Sequence, residues 1–237
     1  GKTTTLYASL QQMDLARLNV STVEDPVEYR LGGITQIQVH ERIDLTFATT
    51  LRSLLRQDPD VIMVGEIRDL ETATIATQAA LTGHLVLSTL HTNDAPSSIT
   101  RLINIGIEPF LVAGAVNAVL AQRLARRICP ACITELPTTD EAREFLHSHG
   151  TVPDMLAGGT GCRACRGSGY AGRLALYELL TMNDTLRDRV ASNPTVIDFR
   201  NLCRSEGMSS LRDEGVLRVL DGTTTIEEVL RVTDAFG

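Results

Sequence analysis

An α/β fold built on a parallel sheet is what the first half of this 237-residue chain predicts, and three observations carry it. DPDVIMVGE (58–66) and HLVLSTLH (84–91) are continuous apolar runs, the pattern of strands buried on both faces. Segments with apolar residues at helical spacing lie between them. Gly83 and Gly106 stop those helices, so strand and helix alternate as crossover units require.

The elements follow in order. A helix is expected over 3–18, directly after the opening GKT, and NVSTVEDP (19–26) is a short strand ending in acids. GGITQIQVH (32–40) reads as an extended hairpin arm. TFATTLRSLLRQD (46–58) places Phe47, Leu51, Leu54 and Leu55 at helical spacing, with Thr46 positioned as cap. The strand at 58–66 leads to a helix over 70–83, and the strand at 84–91 to helices over 95–105 and 109–128. The character changes at Cys129, where a stretch rich in Gly, Pro and Thr begins. RLALYELL (173–180) is a strand, and short helices follow over 184–191, 195–205, 208–220 and 225–232. Thr225 caps the last of them, with Glu228 three residues on. The expected domains are an α/β core (1–128), a cysteine-bearing lobe (129–172) and a C-terminal strand with a helical subdomain (173–237).

Composition narrows the function. A net charge of −7 and the lack of basic, aromatic-interleaved stretches argue against nucleic acid as a partner. The longest apolar stretch, PFLVAGAVNAVLA (109–121), is short of the roughly 20 residues that span a bilayer. With no signal peptide in view, the reading is a soluble intracellular chain.

One residue is out of character. Of 22 basic residues, 21 are arginine, and Lys2 is the only lysine. GKT matches the end of the phosphate-binding loop G-x-x-x-x-G-K-[ST], in which backbone N–H groups cradle phosphates and lysine adds a compact charge. Arginine fits such a loop poorly. Gly1, Lys2, Thr3 and Thr4 are therefore the expected nucleotide-binding end, with the Thr3 hydroxyl on Mg²⁺. The opposing reading is an accidental tripeptide.

Other residues join this constellation. VIMVGE ends a buried strand in Glu66, where a carboxylate can orient or deprotonate an attacking water. Glu66 could instead cap a helix or pair with Arg68. VEDPVE puts Glu24 and Asp25 at another strand end, or in a solvated turn set by Pro26. His84 and His91 flank the third strand. Ligands of open α/β sheets bind at the C-terminal edge, which favours Glu24, Glu66 and His91 over His84. Arg52, Arg56, Arg68, Arg101, Arg123, Arg126 and Arg127 cluster in the same half and individually read as salt-bridge partners.

Cys129, Cys132, Cys162 and Cys165 form two CxxC pairs separated by 29 residues. Two pairs complete a tetrahedron, and four thiolates leave no open position, so a structural Zn²⁺ is expected rather than a catalytic one. Reduced thiols are the alternative. Cys203 stands outside the pattern and reads as core.

GKTTTLYASL, TVEDPVEYRLGGITQIQVH, TFATTLRSLLRQDPDVIMVGEIRD, ETATIATQAALTGHLVLSTLHTNDA, AQRLARRICPAC, GYAGRLALYELL and the tail GMSSLRDEGVLRVLDGTTTIEEVLRVT together resemble the secretion ATPases of type II secretion and type IV pilus assembly. The resemblance covers nearly the whole chain. It implies a RecA-like P-loop core, ATP and Mg²⁺ as ligands, and ring hexamers. Lys2 and Thr3 match the end of Walker A. Glu24, Asp25 and Glu28 match the Asp box, Asp60 and Glu66 the Walker B stretch, and His84 and His91 the His box. Glu66, Glu24 and His91 are then the catalytic candidates, and Asp25 and His84 join the cofactor-binding set.

The implied function is an ATP-driven motor of a bacterial type II secretion system that moves an inner-membrane platform. Its expected partners are that platform and a cytoplasmic adaptor, with a cytoplasmic location peripheral to the inner membrane. A pilus-extension ATPase is the alternative, and a non-catalytic zinc-bearing interaction module the third reading. The chain begins inside the phosphate loop, so it is expected to be a fragment that alone binds ATP poorly and hydrolyses little.

Overall fold

The chain begins in helix α1 (Lys2–Gln11), which buries Tyr7 and Leu10 one turn apart. It ends short of the expected 3–18. Met13, Leu15 and Leu18 instead sit in turns that fold back onto the same apolar cluster as Tyr7 and Leu10. Strand β1 (Val20–Glu24) is buried along its length. Strand β2 (Thr35–Gln38) runs parallel to it, with Ser21 opposite Thr35 and Glu24 opposite Gln38. This corrects the expected hairpin arm. Parallel neighbours normally need a crossover of about a dozen residues. The connection 25–34 is a little shorter, and it packs Leu31 into the cluster that holds Tyr7 and Leu10 of α1.

Helix α2 (Phe47–Leu54) starts in a reciprocal capping box: Thr46 Oγ1 accepts from the Thr49 N–H, and Thr49 Oγ1 accepts from the Thr46 N–H. A 3₁₀ turn (Leu55–Gln57) leads to strand β3 (Val61–Val64). Helix α3 (Leu70–Leu81) is capped by Asp69, and strand β4 (Leu85–Ser88) follows. Helix α4 (Ala95–Ile105) begins at its cap Asp94 and stops at Gly106, whose φ of 118° suits glycine alone. Helix α5 (Pro109–Ala115) comes next.

The four strands form one parallel sheet in the order β2-β1-β3-β4. β3 shows why its apolar run is unbroken. Val61 and Met63 join Tyr7, Leu10 and Val20 on one face, and Ile62 and Val64 join Ala48, Leu51, Ile75 and Ala79 on the other. Both faces are therefore desolvated, at roughly 1.5–3 kcal/mol for each fully buried aliphatic side chain.

Past α5 the expected long helix over 109–128 does not form. Val116 turns extended and Ala118–Ile128 becomes strand β5. Its apolar residues satisfy either period, and a partner much later in the chain decides between them. Strand β6 (Ile133–Pro137), helix α6 (Asp140–Leu146) and strand β7 (Met155–Gly159) follow. Strand β8 (Tyr170–Thr181) is that partner of β5, while β6 and β7 pair antiparallel. The chain then forms helices α7 (Asp184–Ala191), α8 (Val196–Ser205), α9 (Leu211–Leu220) and α10 (Ile226–Thr233).

These coordinates, a computed structural model, describe residues 1–147, 150 and 152–233; positions 234–237, the end of the expected C-terminal subdomain, and 148, 149 and 151 of the expected cysteine lobe lie outside the described residues. The elements group into two units: Gly1–Val119 with Thr181–Cys203, and Leu120–Leu180 with the chain from Arg204 onward. In the first, α7 and α8 pack with the sheet-bearing part. The Arg187 guanidinium donates to the Ala113 carbonyl and to Asn117 Oδ1, and Arg200 pairs with Asp94 at 2.6 Å.

The second unit closes on a buried carboxylate. Glu228 is fully buried; Thr225 caps the helix as expected, its Oγ1 accepting from the Glu228 N–H at 3.4 Å, but the Glu228 carboxylate goes to two arginines. Its oxygens accept from the Arg126 N–H at 2.8 Å and guanidinium at 2.6 Å, and from Arg231 at 2.5 and 2.8 Å. The Arg126 guanidinium also stacks 4.2 Å over the Tyr170 ring. The Arg231 guanidinium, with Arg126 behind it, holds the Glu228 carboxyl down at about 2 against an ordinary 4.5. A depressed carboxylate contributes its stability above the unfolded value. That contribution is complete above about pH 4.5 and is lost as the pH falls toward 2. Allowing for solvent around the half-exposed guanidiniums, about 2 kcal/mol is expected. Urea unfolding of the wild type between pH 7 and 3 should show this loss, and Glu228→Gln should flatten it; an unchanged pH slope in the variant refutes the assignment.

Candidate functional site

In a parallel sheet the C-terminal strand ends share one edge, and most of the expected residues are there. Lys2 opens α1, where the first-turn N–H groups have no partner within the helix and the dipole is positive. No acidic residue in that turn cancels the field. The Lys2 ammonium donates to the Leu90 carbonyl at 3.3 Å, just past β4. Gly1 caps the helix, and Thr3 and Thr4 follow Lys2 in its first turn.

Glu66 lies two residues beyond β3. One carboxylate oxygen pairs with the Arg68 guanidinium, and the other meets His91 Nε2 at 3.2 Å. The pairing with Glu66 raises Arg68 above its ordinary value. The reading of Glu66 as a partner of Arg68 therefore describes this arrangement. Thr89 Oγ1 donates to the Gly65 carbonyl at 2.7 Å, and the Ile67 N–H to the Thr89 carbonyl at 3.1 Å. These bonds lock the β3 and β4 tips together. The residues after β4 are thus a junction: Leu90 holds Lys2 and His91 holds Glu66.

Glu24 is different. It ends β1 but is only 2% exposed. One oxygen accepts from the Tyr7 hydroxyl, and the other from Thr22 Oγ1 at 2.5 Å and Gln36 Nε2 at 3.1 Å. Three neutral donors thus hold a carboxylate that the sequence reading expects at the sheet edge. Asp25 and Glu28 are exposed in the turn that follows.

Two expected residues are elsewhere. His84 precedes β4, at the opposite sheet edge, where Nδ1 contacts the Ala79 carbonyl at 2.9 Å at the end of α3. Asp60 precedes β3 and accepts from the Asn19 N–H at 2.7 Å, fixing the entry to β1. The sequence reading also missed Tyr7, Thr22 and Gln36. Gln36 pairs across from Thr22, so the register β1–β2 delivers its amide to Glu24. That register is non-local. Tyr7 had a local signal: an amphipathic aromatic one turn before Leu10 in a chain with only 4% aromatics.

The second unit holds the four cysteines. Their sulfurs all lie within 4.8 Å of one another. Cys129–Cys162 is 4.0 Å, and Cys132–Cys165 and Cys162–Cys165 are each 3.8 Å. Ligands at 2.3 Å on a tetrahedral ion lie about 3.8 Å apart, so the set fits Zn²⁺. A disulfide needs about 2.05 Å. The Cys162 and Gly169 N–H groups donate to the Cys165 sulfur at 3.1 and 3.3 Å. The Cys162 N–H, with Gly169 adding, draws the Cys165 thiol down to about 6. Burial, with the neighbouring thiols, pushes Cys132 up to about 12.

Comparison with known proteins gives the family. The family model described as Type II/IV secretion system protein matches residues 1–231. The type II secretion system protein HxcR of Pseudomonas aeruginosa is 52% identical over 98% of this chain and 46% of its own length. The type IV pilus assembly ATPase PilB of Myxococcus xanthus is 51% identical over 97% of this chain and 41% of its own. The type II secretion system ATPase E of Vibrio cholerae is 49% identical, again over 98% and 46%. The chain thus spans a little under half the length of these curated relatives. Among solved structures, the pilus retraction motor PilT with bound ADP superposes with a TM-score of 0.72 at 27% identity, covering 98% of this chain and 57% of that one. The Legionella pneumophila ATPase DotB matches in fold, with a TM-score of 0.67 at 23% identity over 98% and 56%.

Proposed function

Because the chain belongs to the Type II/IV secretion system protein family, we propose that it is the catalytic part of an ATP-hydrolysing motor of a type II secretion system. The observation that carries this is the convergence on the residues after β4 of the Lys2 ammonium and the Glu66–His91 pair. An ATP triphosphate laid across this edge meets the positive end of α1 and the Lys2 charge at its β and γ phosphates. Gly1, Thr3 and Thr4 complete the backbone cradle. Mg²⁺, when bound, neutralises developing phosphate charge, and the Thr3 hydroxyl offers it a ligand.

Glu66 is the residue placed to accept a proton from the attacking water. His91 orients it from one oxygen and Arg68 from the other. Glu24 supplies a fixed negative charge at the β1 tip, and Asp25 stands exposed beside it. His84, at the opposite edge, is left without a part in binding the nucleotide at this edge.

The four cysteines would hold Zn²⁺ through thiolates, and the ion would supply a cross-link between the turns around Cys129 and Cys162. Residues 129–172 are then read as a rigid lobe, alongside the expected divisions 1–128 and 173–237, although the contacts group 120–128 with that lobe and 181–203 with the sheet-bearing unit. On this reading the motor works as a homo-hexamer coupled to an inner-membrane platform and a cytoplasmic adaptor, on the cytoplasmic side; the relatives' names support only membership of type II secretion and type IV pilus machines. Among the described residues no helix is long and apolar enough to cross a membrane. Type IV pilus assembly is the second reading, favoured by the 51% identity to the Myxococcus xanthus pilus ATPase.

Phosphate release by the full-length protein tests the proposal. ATP should be hydrolysed, the rate should be indifferent to added DNA, and Lys2→Ala should lower kcat/KM by roughly 10²-fold. A full-length wild type without ATPase activity, or a Lys2→Ala variant as active as the wild type, overturns it.

A further inference from the structure

Tyr7 has no expected role within GKTTTLYASL, yet it is completely buried with its hydroxyl on the Glu24 carboxylate. We infer that Tyr7 is a positioning residue for hydrolysis, fixing the Glu24 carboxylate relative to the phosphate-binding end of α1. This rests on the reading of the nucleotide site given above.

The three donors to Glu24 are not equivalent. Thr22 and Gln36 belong to the sheet, on β1 and β2, so they hold the carboxylate within its own layer. Among the described residues, Tyr7 is the donor that comes from α1. Lys2 lies five residues earlier on that helix, roughly 7.5 Å along its axis. One side chain therefore sets the spacing between the ammonium end and the acidic end of the site.

Tyr7 also holds the far side of the acidic turn. Its hydroxyl accepts from the Glu28 N–H at 3.4 Å, and its ring meets the Tyr29 ring edge-on at 4.7 Å. The segment from Glu24 to Tyr29 is thus gripped at both ends by a residue of α1. Burial and then the Glu24 carboxylate push the phenol up to about 12. It remains a donor through the working pH range. Because a misplacement of about 1 Å can cost up to 10² in rate, a positioning role predicts an effect on turnover rather than on affinity.

The test is a double-mutant cycle in the full-length protein: Tyr7→Phe, Glu24→Gln and the pair, with kcat and KM for ATP measured for each. Tyr7→Phe should lower kcat about tenfold with KM within about twofold. The pair should be no slower than Glu24→Gln alone, because Tyr7 acts through that carboxylate. If Tyr7→Phe keeps parental kcat, or the two losses multiply, the inference is wrong. If Glu24→Gln itself keeps parental kcat, the assignment of Glu24 fails instead. Should Tyr7→Phe not fold, 3-fluorotyrosine at position 7 retains ring and hydroxyl but alters the strength of donation. A changed kcat at constant KM supports the role, and an unchanged kcat overturns it.

Discussion

Glu66→Gln in the full-length protein is expected to lower single-turnover ATP hydrolysis by roughly 10²-fold or more while leaving ATP affinity nearly unchanged. Glutamine keeps the shape and can still meet His91, but it cannot take a proton. The choice of Glu66 over Glu24 is geometric. Glu66 keeps 13% of its side chain exposed at the sheet edge, and its partners Arg68 and His91 are themselves mostly exposed. Glu24 is almost fully enclosed by three donors. Glutamine at 66 also releases Arg68 from its carboxylate, so Arg68→Ala is the matched control. It removes the ion pair but leaves the base, and it should cost far less. A single-turnover rate for Glu66→Gln equal to the parent's would exclude Glu66 as the base.

The sequence carried some of this arrangement and not the rest, and the division is physical. β3 was legible because two-sided burial demands an unbroken apolar run, and VIMV is one. The start of α2 was legible because a cap is local, written in Thr46 and the residues after it. Glu66 and His91 were legible because a parallel sheet brings its strand tips to one edge, and Lys2 because the only lysine stands in GKT. β2 was misread because its partner is set by the crossover 25–34, which packs Leu31 into the cluster that holds Tyr7 and Leu10. β5 was misread as helix because AVLAQRLARRI fits both periods, and only β8 decides. Glu228 had the spacing of a capping box, but two arginines outbid the helix end for its carboxylate. In each failure a long-range contact overrode a correct local preference.

Gly159→Ala is expected to disrupt the cysteine site more severely than its size suggests, with loss of about 3 kcal/mol or more and of most of the zinc that the site is proposed to hold. A methyl group on Gly159 would lie 2.1 Å from the Gly169 carbonyl oxygen and 2.7 and 2.8 Å from the carbonyl carbon and Cα of the same residue. All three are backbone atoms, so no rotamer relieves the clash. Gly169 is also where the site is tied together. Its N–H donates to the Cys165 sulfur at 3.3 Å, and its carbonyl accepts from the Cys129 N–H at 2.9 Å. Displacing that peptide moves one cysteine from each CxxC pair at once. Such supporting contacts typically change metal affinity by 10–100-fold. Gly172→Ala is the control: Gly172 has a positive φ, 79°, which Gly159 does not, but a methyl there meets nothing within 4 Å. That variant should lose only about 1–2 kcal/mol of stability to the added backbone strain and leave the zinc content unchanged. Zinc content after purification and the melting temperature distinguish the two. Equal zinc and equal melting in Gly159→Ala and wild type would mean that the crossing of Gly159 and Gly169 does not hold the cysteines in place.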